Sequence, residues 1–596
     1  MCSIFKLSLE KVNNFTKYLG NKVYVILILV LVTSLVDGLG ILLLVPVLQS
    51  DLGESQGVLA SIISFLNDFI ILIFGETKTE YLILLIAILF ILKGLFNFKA
   101  LSYSSKLRAE LIVKLKKKIF ISFQKINYTY YARQEIGEMT NLLNDHVTKA
   151  LQSFHFFTLM MIQLANLIIS LGICLFLSPV FGFVVIIVGM IIQILFKALN
   201  ARVLVYAQDA LEANDKLMGR FLEFLNNFKY MLTTNNINAF DKEVDSGIER
   251  LRRNQFKLGN IESVTQSLRE PVAMTIMSLV IVIHMMLFDG ELAPILVSII
   301  LLYRAMNAVV QLQSFRQTFL NNYVSFDFID KKIKEMSESV EITKGCSNLL
   351  DVRAIQLNNV GFGFTKEKNV LDNIEFVIEP KSTTAIIGQS GSGKSTLLEL
   401  IALLREYTEG DIFLGDTPFS QVDKSMWRSS LGYVGQENSI FEDTLANNIT
   451  LNIGQEQRYS DEEEQEIRDV LKKSGLNDFV DSQAEGIYTR LHYTGRNISG
   501  GQRQRVMIAR ELFRKPSLLI MDEATSALDA KTEKLVNETI AELKGTVTLI
   551  IVAHKMSSIK NVDNVIVLEK GKISEKGKYS DLIADQKSKL NSFHIA

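Results

Sequence analysis

The chain has 596 residues, with 63 Lys and Arg against 64 Asp and Glu and a formal net charge of −1. That near-zero balance by itself says nothing about nucleic acid, and no nucleic acid is expected as a partner. Cys2, Cys174 and Cys346 are too far apart to suggest a disulfide framework or a zinc site. Hydrophobic residues make up 48% and charged residues 21%, but these averages merge two unlike halves, because the apolar character is concentrated before residue 315.

A bilayer core requires roughly 20 predominantly apolar residues per helix. Six segments qualify, at about 23–49, 79–99, 153–178, 180–203, 270–288 and 291–313, and six such lengths in one region do not fit a soluble core. The first run is too long for a cleavable signal peptide and lacks a small-residue cleavage site before Asp51. Lys6, Lys11, Lys17 and Lys22 precede span one, and Lys106, Arg108, Lys114, Lys116, Lys117 and Lys118 follow span two, whereas residues 50–78 hold only Lys78. Both chain ends are therefore expected in the cytosol, with the chain passing the membrane several times.

The stretch from Leu59 to Phe74 is apolar but short and carries Asn67 and Asp68, which reads either as a helix lying on the outer membrane surface or as a folded loop. Long charged stretches separate span two from three and span four from five, with short connections at Ser178-Pro179 and Asp289-Gly290. Charge inside a span is costly and usually faces a cavity or a partner. Arg304 is the clearest case, with two readings open: contact with an anionic substrate, or pairing to a neighbouring helix. Lys93 lies near enough to a span end to snorkel, while Asp37 and His284 are weaker candidates. Residues 1–335 thus form an all-α membrane domain, 336–351 a polar linker, and 352–596 a second domain.

In the second domain, the apolar run Thr384-Ala385-Ile386-Ile387 leads into Gly388-Gln389-Ser390-Gly391-Ser392-Gly393-Lys394-Ser395-Thr396 and then a leucine-rich helical stretch. Strand, glycine loop and helix in this order make a phosphate cradle, as backbone N–H groups and the helix dipole converge on anionic oxygens. By that pattern Lys394 would reach the outer phosphates and Ser395 would hold Mg²⁺. Further on, Leu518-Leu519-Ile520-Met521 ends in Asp522-Glu523, a buried strand with carboxylates at its carboxyl end. Asp522 is placed to orient the Mg²⁺ shell and Glu523 to polarise an attacking water.

Between these motifs, Ile498-Ser499-Gly500-Gly501-Gln502 opens a helical stretch. This element resembles the signature of ATP-binding cassette (ABC) proteins, and the resemblance extends from about residue 352 to 590. It implies an α/β P-loop nucleotide-binding domain using ATP and Mg²⁺. Phe364 lies where the family stacks an aromatic on adenine, Gln436 matches the glutamine that senses Mg²⁺ and the γ-phosphate, and His554 matches the switch histidine. Ser526-Ala527-Leu528-Asp529 looks like the loop that crosses to the partner cassette. The resemblance also implies that Ser499 and Gly501 act on ATP bound by a second copy. Gly435, Lys555 and the segment Leu491 to Gly495 depart from the commonest exporter pattern.

The long-inside, short-outside layout is similar to ABC exporters, whose helices end in cytosolic coupling helices. By position these fall near Tyr128 to Glu135 and Glu223 to Met231, where Tyr128, Tyr130 and Tyr131 either dock on the cassette or pack within their loop. The stretches Asp37-Gly38-Leu39-Gly40, Leu225-Asn226-Asn227-Phe228-Lys229 and Leu302-Tyr303-Arg304 resemble PglK-type flippases of lipid-linked oligosaccharides. The implied function is an ATP-hydrolysing exporter or flippase in the membrane lipid. Its expected substrate is amphiphilic, a lipid-linked oligosaccharide first and a small antimicrobial-type peptide or drug as the alternative. A homodimer suffices, and a heterodimer is not excluded by the motifs.

Overall fold

A computed structural model describes residues 13–43, 79–177, 179–287, 296–343, 353–365, 368–436, 439–456, 458–492, 495–524, 530–553, 559 and 561–592. The chain divides into two compact units. Unit one is Met1–Ile126 with Tyr130–Val340, and unit two is Asn127–Thr129 with Glu341–Ala596.

Unit one is helical. Its long elements are α1 (Lys22–Leu42), α2 (Thr79–Phe123), α3 (Val147–Leu177), α4 (Pro179–Asn226), α5 (Asp241–Ser267), α6 (Arg269–Leu287) and α7 (Leu296–Glu338). Each expected span falls on one of these helices wherever residues are described; the segment 59–74 lies outside the described residues. Four helical stretches among the described residues are long and apolar enough to cross a membrane. At 45 residues, α2 is about 68 Å long, over twice a bilayer core, so the apolar stretch at 79–99 is only its first half. The hydropathy signal stops at the first lysine cluster, whereas the i to i+4 backbone ladder continues into a polar environment. The same holds for α4 and α7, with 48 and 43 residues.

An aromatic cluster packs the polar ends of these helices: Phe15 is fully buried, with ring centroids 5.1 Å from Phe154 and 5.0 Å from Phe326. Ahead of α3, Leu142–His146 forms a π-helical turn. His146 is fully buried there, stacked 4.5 Å from Phe328, with Nε2 3.0 Å from Asp215 Oδ1. Asn141 donates to the same carboxylate oxygen at 2.7 Å. Of the three loop tyrosines, Tyr128 falls in unit two. Tyr130 donates to Glu335 at 3.5 Å and Tyr131 meets Phe123 edge-on at 6.2 Å, both within unit one.

Unit two is an α/β domain. A four-stranded antiparallel sheet has the order β2-β1-β4-β5, from β1 (Ile355–Thr365), β2 (Lys368–Ile378), β4 (Glu409–Leu414) and β5 (Thr417–Pro418). A six-stranded sheet has the order β10-β9-β3-β8-β7-β6. Its strands are β3 (Thr383–Ile387), β6 (Leu431–Val434), β7 (Leu518–Asp522), β8 (Thr548–Val552), β9 (Asn564–Glu569) and β10 (Lys572–Lys578). All neighbours in it are parallel except β9 and β10. Every residue of β3, β7 and β8 is buried, as a sheet covered on both faces requires. The carboxyl ends of β3 and β7 therefore open on the same edge of the sheet, with β8 between them.

Candidate nucleotide site and membrane ion cluster

The glycine loop leaves β3 and enters helix α8 (Lys394–Ile401) through Gly393, whose φ of +103° is left-handed. A Cβ at Gly393 would stand 2.7 Å from Leu371 Cδ2, so both the backbone angle and the close packing select glycine. Lys394 folds back over the loop and donates to the carbonyls of Gly388 at 2.8 Å and Gln389 at 3.0 Å. Burial holds its amine below the usual lysine range, while the Glu523 and Asp522 carboxylates act in the opposite direction. Ser392 is buried with an unpartnered Oγ, Ser390 and Ser395 are exposed, and Thr396 is half-buried.

At the end of β7, Asp522 is buried and accepts from the Tyr433 hydroxyl at 3.3 Å. Burial, first, and then the Asp522 charge push the Tyr433 phenol well above its ordinary range, so it stays a proton donor. Glu523 sits at φ +53°, a left-handed conformation unusual for a side-chain-bearing residue. Three contacts hold it there: its N–H donates to Val552 O at 3.0 Å, its carbonyl accepts from Gln504 at 3.2 Å, and its Oε2 accepts from Gln436 at 3.1 Å. Gln436 and Glu523, separated by 87 positions in sequence, thus meet directly.

Helix α9 (Gly500–Arg514) begins at Ser499 with a capping box. Ser499 Oγ accepts from Gln502 N–H at 3.2 Å, and the Gln502 side chain accepts from Ser499 N–H at 2.7 Å. The cap uses a lone pair of the serine, so its O–H proton stays available for another acceptor. Gln502 itself is occupied in the cap. Gly500 and Gly501 supply the first N–H groups of the helix. Phe364 is 55% exposed, with the Arg405 guanidinium 4.9 Å over its ring. His554 and Ser526 to Asp529 lie outside the described residues.

Three residues escaped the sequence reading. Tyr433 donates to the Asp522 carboxylate, and Gln504 to the backbone carbonyl of Glu523. Arg510, buried on α9, donates to the Asn448 carbonyl at 2.7 Å, the Ser439 carbonyl at 2.9 Å and Asn448 Oδ1 at 3.2 Å. It ties the signature helix to the segment following Gln436. A signal existed: Gln504, Met507, Ile508 and Glu511 form a buried stripe at helical spacing, and polar residues on such a stripe need dedicated partners.

Within the membrane helices, Asp37 on α1 is only 6% exposed and takes two cations. Lys93 Nζ on α2 lies 2.6 Å from its Oδ1, and Arg304 on α7 pairs with its Oδ2. Lys93 therefore does not snorkel, because a buried carboxylate one helix away is a nearer counter-charge than the interface. Of the two readings of Arg304, the structure realises the pairing with a neighbouring helix. Both cations keep about a third of their side-chain surface, 29% and 32%, outside the pair.

A helical domain with membrane-crossing helices, joined in one chain to a P-loop α/β domain that carries a signature helix, defines a half-transporter of the exporter type. Comparison with known proteins agrees. The ABC transporter family model matches residues 371–526, and the ABC transporter transmembrane region model matches 24–308. The heterocyst differentiation ATP-binding protein HepA of Nostoc is 28% identical over 84% of this chain and 82% of its own. The ATP-dependent lipid A-core flippase of Haemophilus ducreyi is 25% identical over 86% of this chain and 88% of its own. The structure of a bacterial Atm1-family ABC exporter with ATP bound superposes with a TM-score of 0.78 at 19% identity, covering 98% of this chain and all of that one. The chain belongs to the ABC exporters, as an integral membrane half-transporter that couples ATP hydrolysis to transport.

Proposed function

We propose that two copies of this chain form a flippase that moves an amphiphilic, anionic lipid-linked substrate from the cytosolic to the outer side of a bacterial inner membrane. A lipid-linked oligosaccharide is the first candidate. The observation that carries the substrate class is the Asp37, Lys93 and Arg304 cluster. Two partly exposed cations share one buried carboxylate, which leaves a net positive charge in a membrane interior where only an anion balances it. Relatives named lipid A-core flippases support a lipid substrate.

In this reading Lys394 and the loop from Gly388 to Gly393 bind the phosphates of ATP, and Phe364 stacks on adenine. Glu523, steered by Gln436, positions the attacking water, and His554 completes the site. Ser499 and Gly501 donate to ATP held by the partner cassette, so hydrolysis requires closure. The Ser395 hydroxyl, Gln436 and Asp522 offer oxygen ligands alone, a donor set that suits a hard cation. Mg²⁺ held there would neutralise phosphate charge.

ATPase activity of the full chain in nanodiscs tests the substrate, titrated with a polyprenyl-pyrophosphate glycan and, separately, with a panel of small peptides. Saturable stimulation by the glycan that is lost in Arg304→Gln supports the assignment. Stimulation by peptide alone moves it to peptide export.

A further inference from the structure

About 18 Å along α7 from Arg304, a second polar region lies where α4, α5 and α7 meet. Gln313 donates to Gln193 at 2.6 Å and accepts from Asn200 at 3.3 Å, while Gln317 accepts from Thr265 at 2.8 Å. Gln313, Gln317, Asn200 and Thr265 are all at least nine-tenths buried. The hydrogen-bonded groups of this seam are all neutral, and Arg316 adjoins Gln317 in the chain.

Among the described residues the seam leaves donors without acceptors. Arg316 Nε and Nη1 and Gln317 Nε2 are buried with no hydrogen-bond partner, whereas the only unmatched acceptor of the seam is Asn200 Oδ1. Arg316 is half-buried and, among the described residues, has no counter-charge; an oxyanion reaching its guanidinium relieves both the charge and the hydrogen-bond deficit. The depth narrows the choice further. Arg316 lies one helical turn, about 5 Å, beyond the apolar stretch that ends near residue 313, on the side assigned to the cytosol. That is the level of lipid head groups, and anionic lipids populate the cytosolic leaflet.

We infer that Arg316, with Gln317 beside it, binds the phosphate of an anionic lipid head group at the cytosolic membrane surface, a station separate from the Asp37 cluster. The guanidinium holds a phosphate oxygen, and the Gln317 amide, about 100° around the helix, is available to another oxygen of the same head group. A zwitterionic lipid fits less well, since its own ammonium competes for the phosphate.

Native mass spectrometry of the full chain, titrated with phosphatidylglycerol or phosphatidylcholine, tests this. The wild type should bind phosphatidylglycerol at least about tenfold more tightly than phosphatidylcholine. Arg316→Gln should lose that preference, Arg316→Lys should keep part of it, Gln317→Leu should weaken it a few-fold, and Arg304→Gln should leave it unchanged. Phosphatidylglycerol bound equally by wild type and Arg316→Gln overturns the inference; should Arg316→Gln not fold, unchanged affinity in both Arg316→Lys and Gln317→Leu does so. Displacement of the lipid by millimolar inorganic phosphate overturns the lipid part, leaving a general oxyanion site. A parallel titration with the polyprenyl-pyrophosphate glycan identifies the source. If Arg316→Gln loses phosphatidylglycerol alone, the site is for a resident lipid; if it loses both, the station serves the transported lipid as well. Absence of glycan stimulation would defeat the substrate assignment above without touching this result.

Discussion

Removing both cations from Asp37 should cost far more than the sum of removing each. In Lys93→Gln or Arg304→Gln one cation still faces the 6% exposed carboxylate. Because each cation is about a third exposed, a single loss is discounted for screening to about 1 kcal/mol or less. In the double variant the buried carboxylate has no counter-charge, the situation that costs about 3–5 kcal/mol when a buried pair is broken. The excess over additivity is then about 1–3 kcal/mol. At one tenfold change in rate per 1.4 kcal/mol, each single variant should shorten the thermal inactivation half-life of the solubilised protein by no more than about fivefold, and the double variant by about 150-fold or more. Half-life is read from the monodisperse fraction in size-exclusion chromatography after timed heating. Additive effects, within about 0.5 kcal/mol, would show that the two cations do not share one carboxylate in the membrane and would refute the reasoning.

Glu523→Gln should lower ATP turnover by about 100- to 10,000-fold while leaving ATP binding intact, since it removes the base and keeps a hydrogen-bonding side chain near Gln436; wild-type turnover would remove Glu523 from the role. Ser499→Asp preserves an N-cap acceptor but has no hydroxyl proton. It should keep the melting temperature and lose ATPase activity, whereas Ser499→Ala should also lose about 1 kcal/mol of stability. ATP affinity should decline as pH rises, and sooner than for an ordinary lysine, because burial lowers the Lys394 pKa and phosphate binding favours its charged form. Titrating the ATP dissociation constant from about pH 7 to about pH 10 checks this, with Lys394→Arg as the variant that stays charged throughout. Arg510→Met should destabilise the chain by about 3 kcal/mol, since several charge-assisted hydrogen bonds are lost at one buried site, and a melting temperature within about a degree of wild type would count against its anchoring role.

Sequence alone determined the membrane segments and the phosphate loop, because both follow from local physics. Apolar length is set by bilayer thickness, and the strand, glycine loop and helix order around Gly388 to Thr396 is contiguous in the chain. The carboxylates of Asp522 and Glu523 were legible for the same reason, at the end of an unbroken apolar run. Helix ends were not, since the apolar signal in α2 stops where the lysines begin while the backbone ladder continues to Phe123. Nor did the ion partners show: Asp37, Lys93 and Arg304 are up to 267 positions apart, and only the packing of three helices decides that one carboxylate takes both cations. Likewise the meeting of Gln436 with Glu523, and the anchoring of Arg510 beyond Gln436, depend on how β6, β7 and α9 stack. A side chain's residue type is written in the sequence, but its counter-charge is chosen by whichever group the tertiary fold brings within hydrogen-bonding distance.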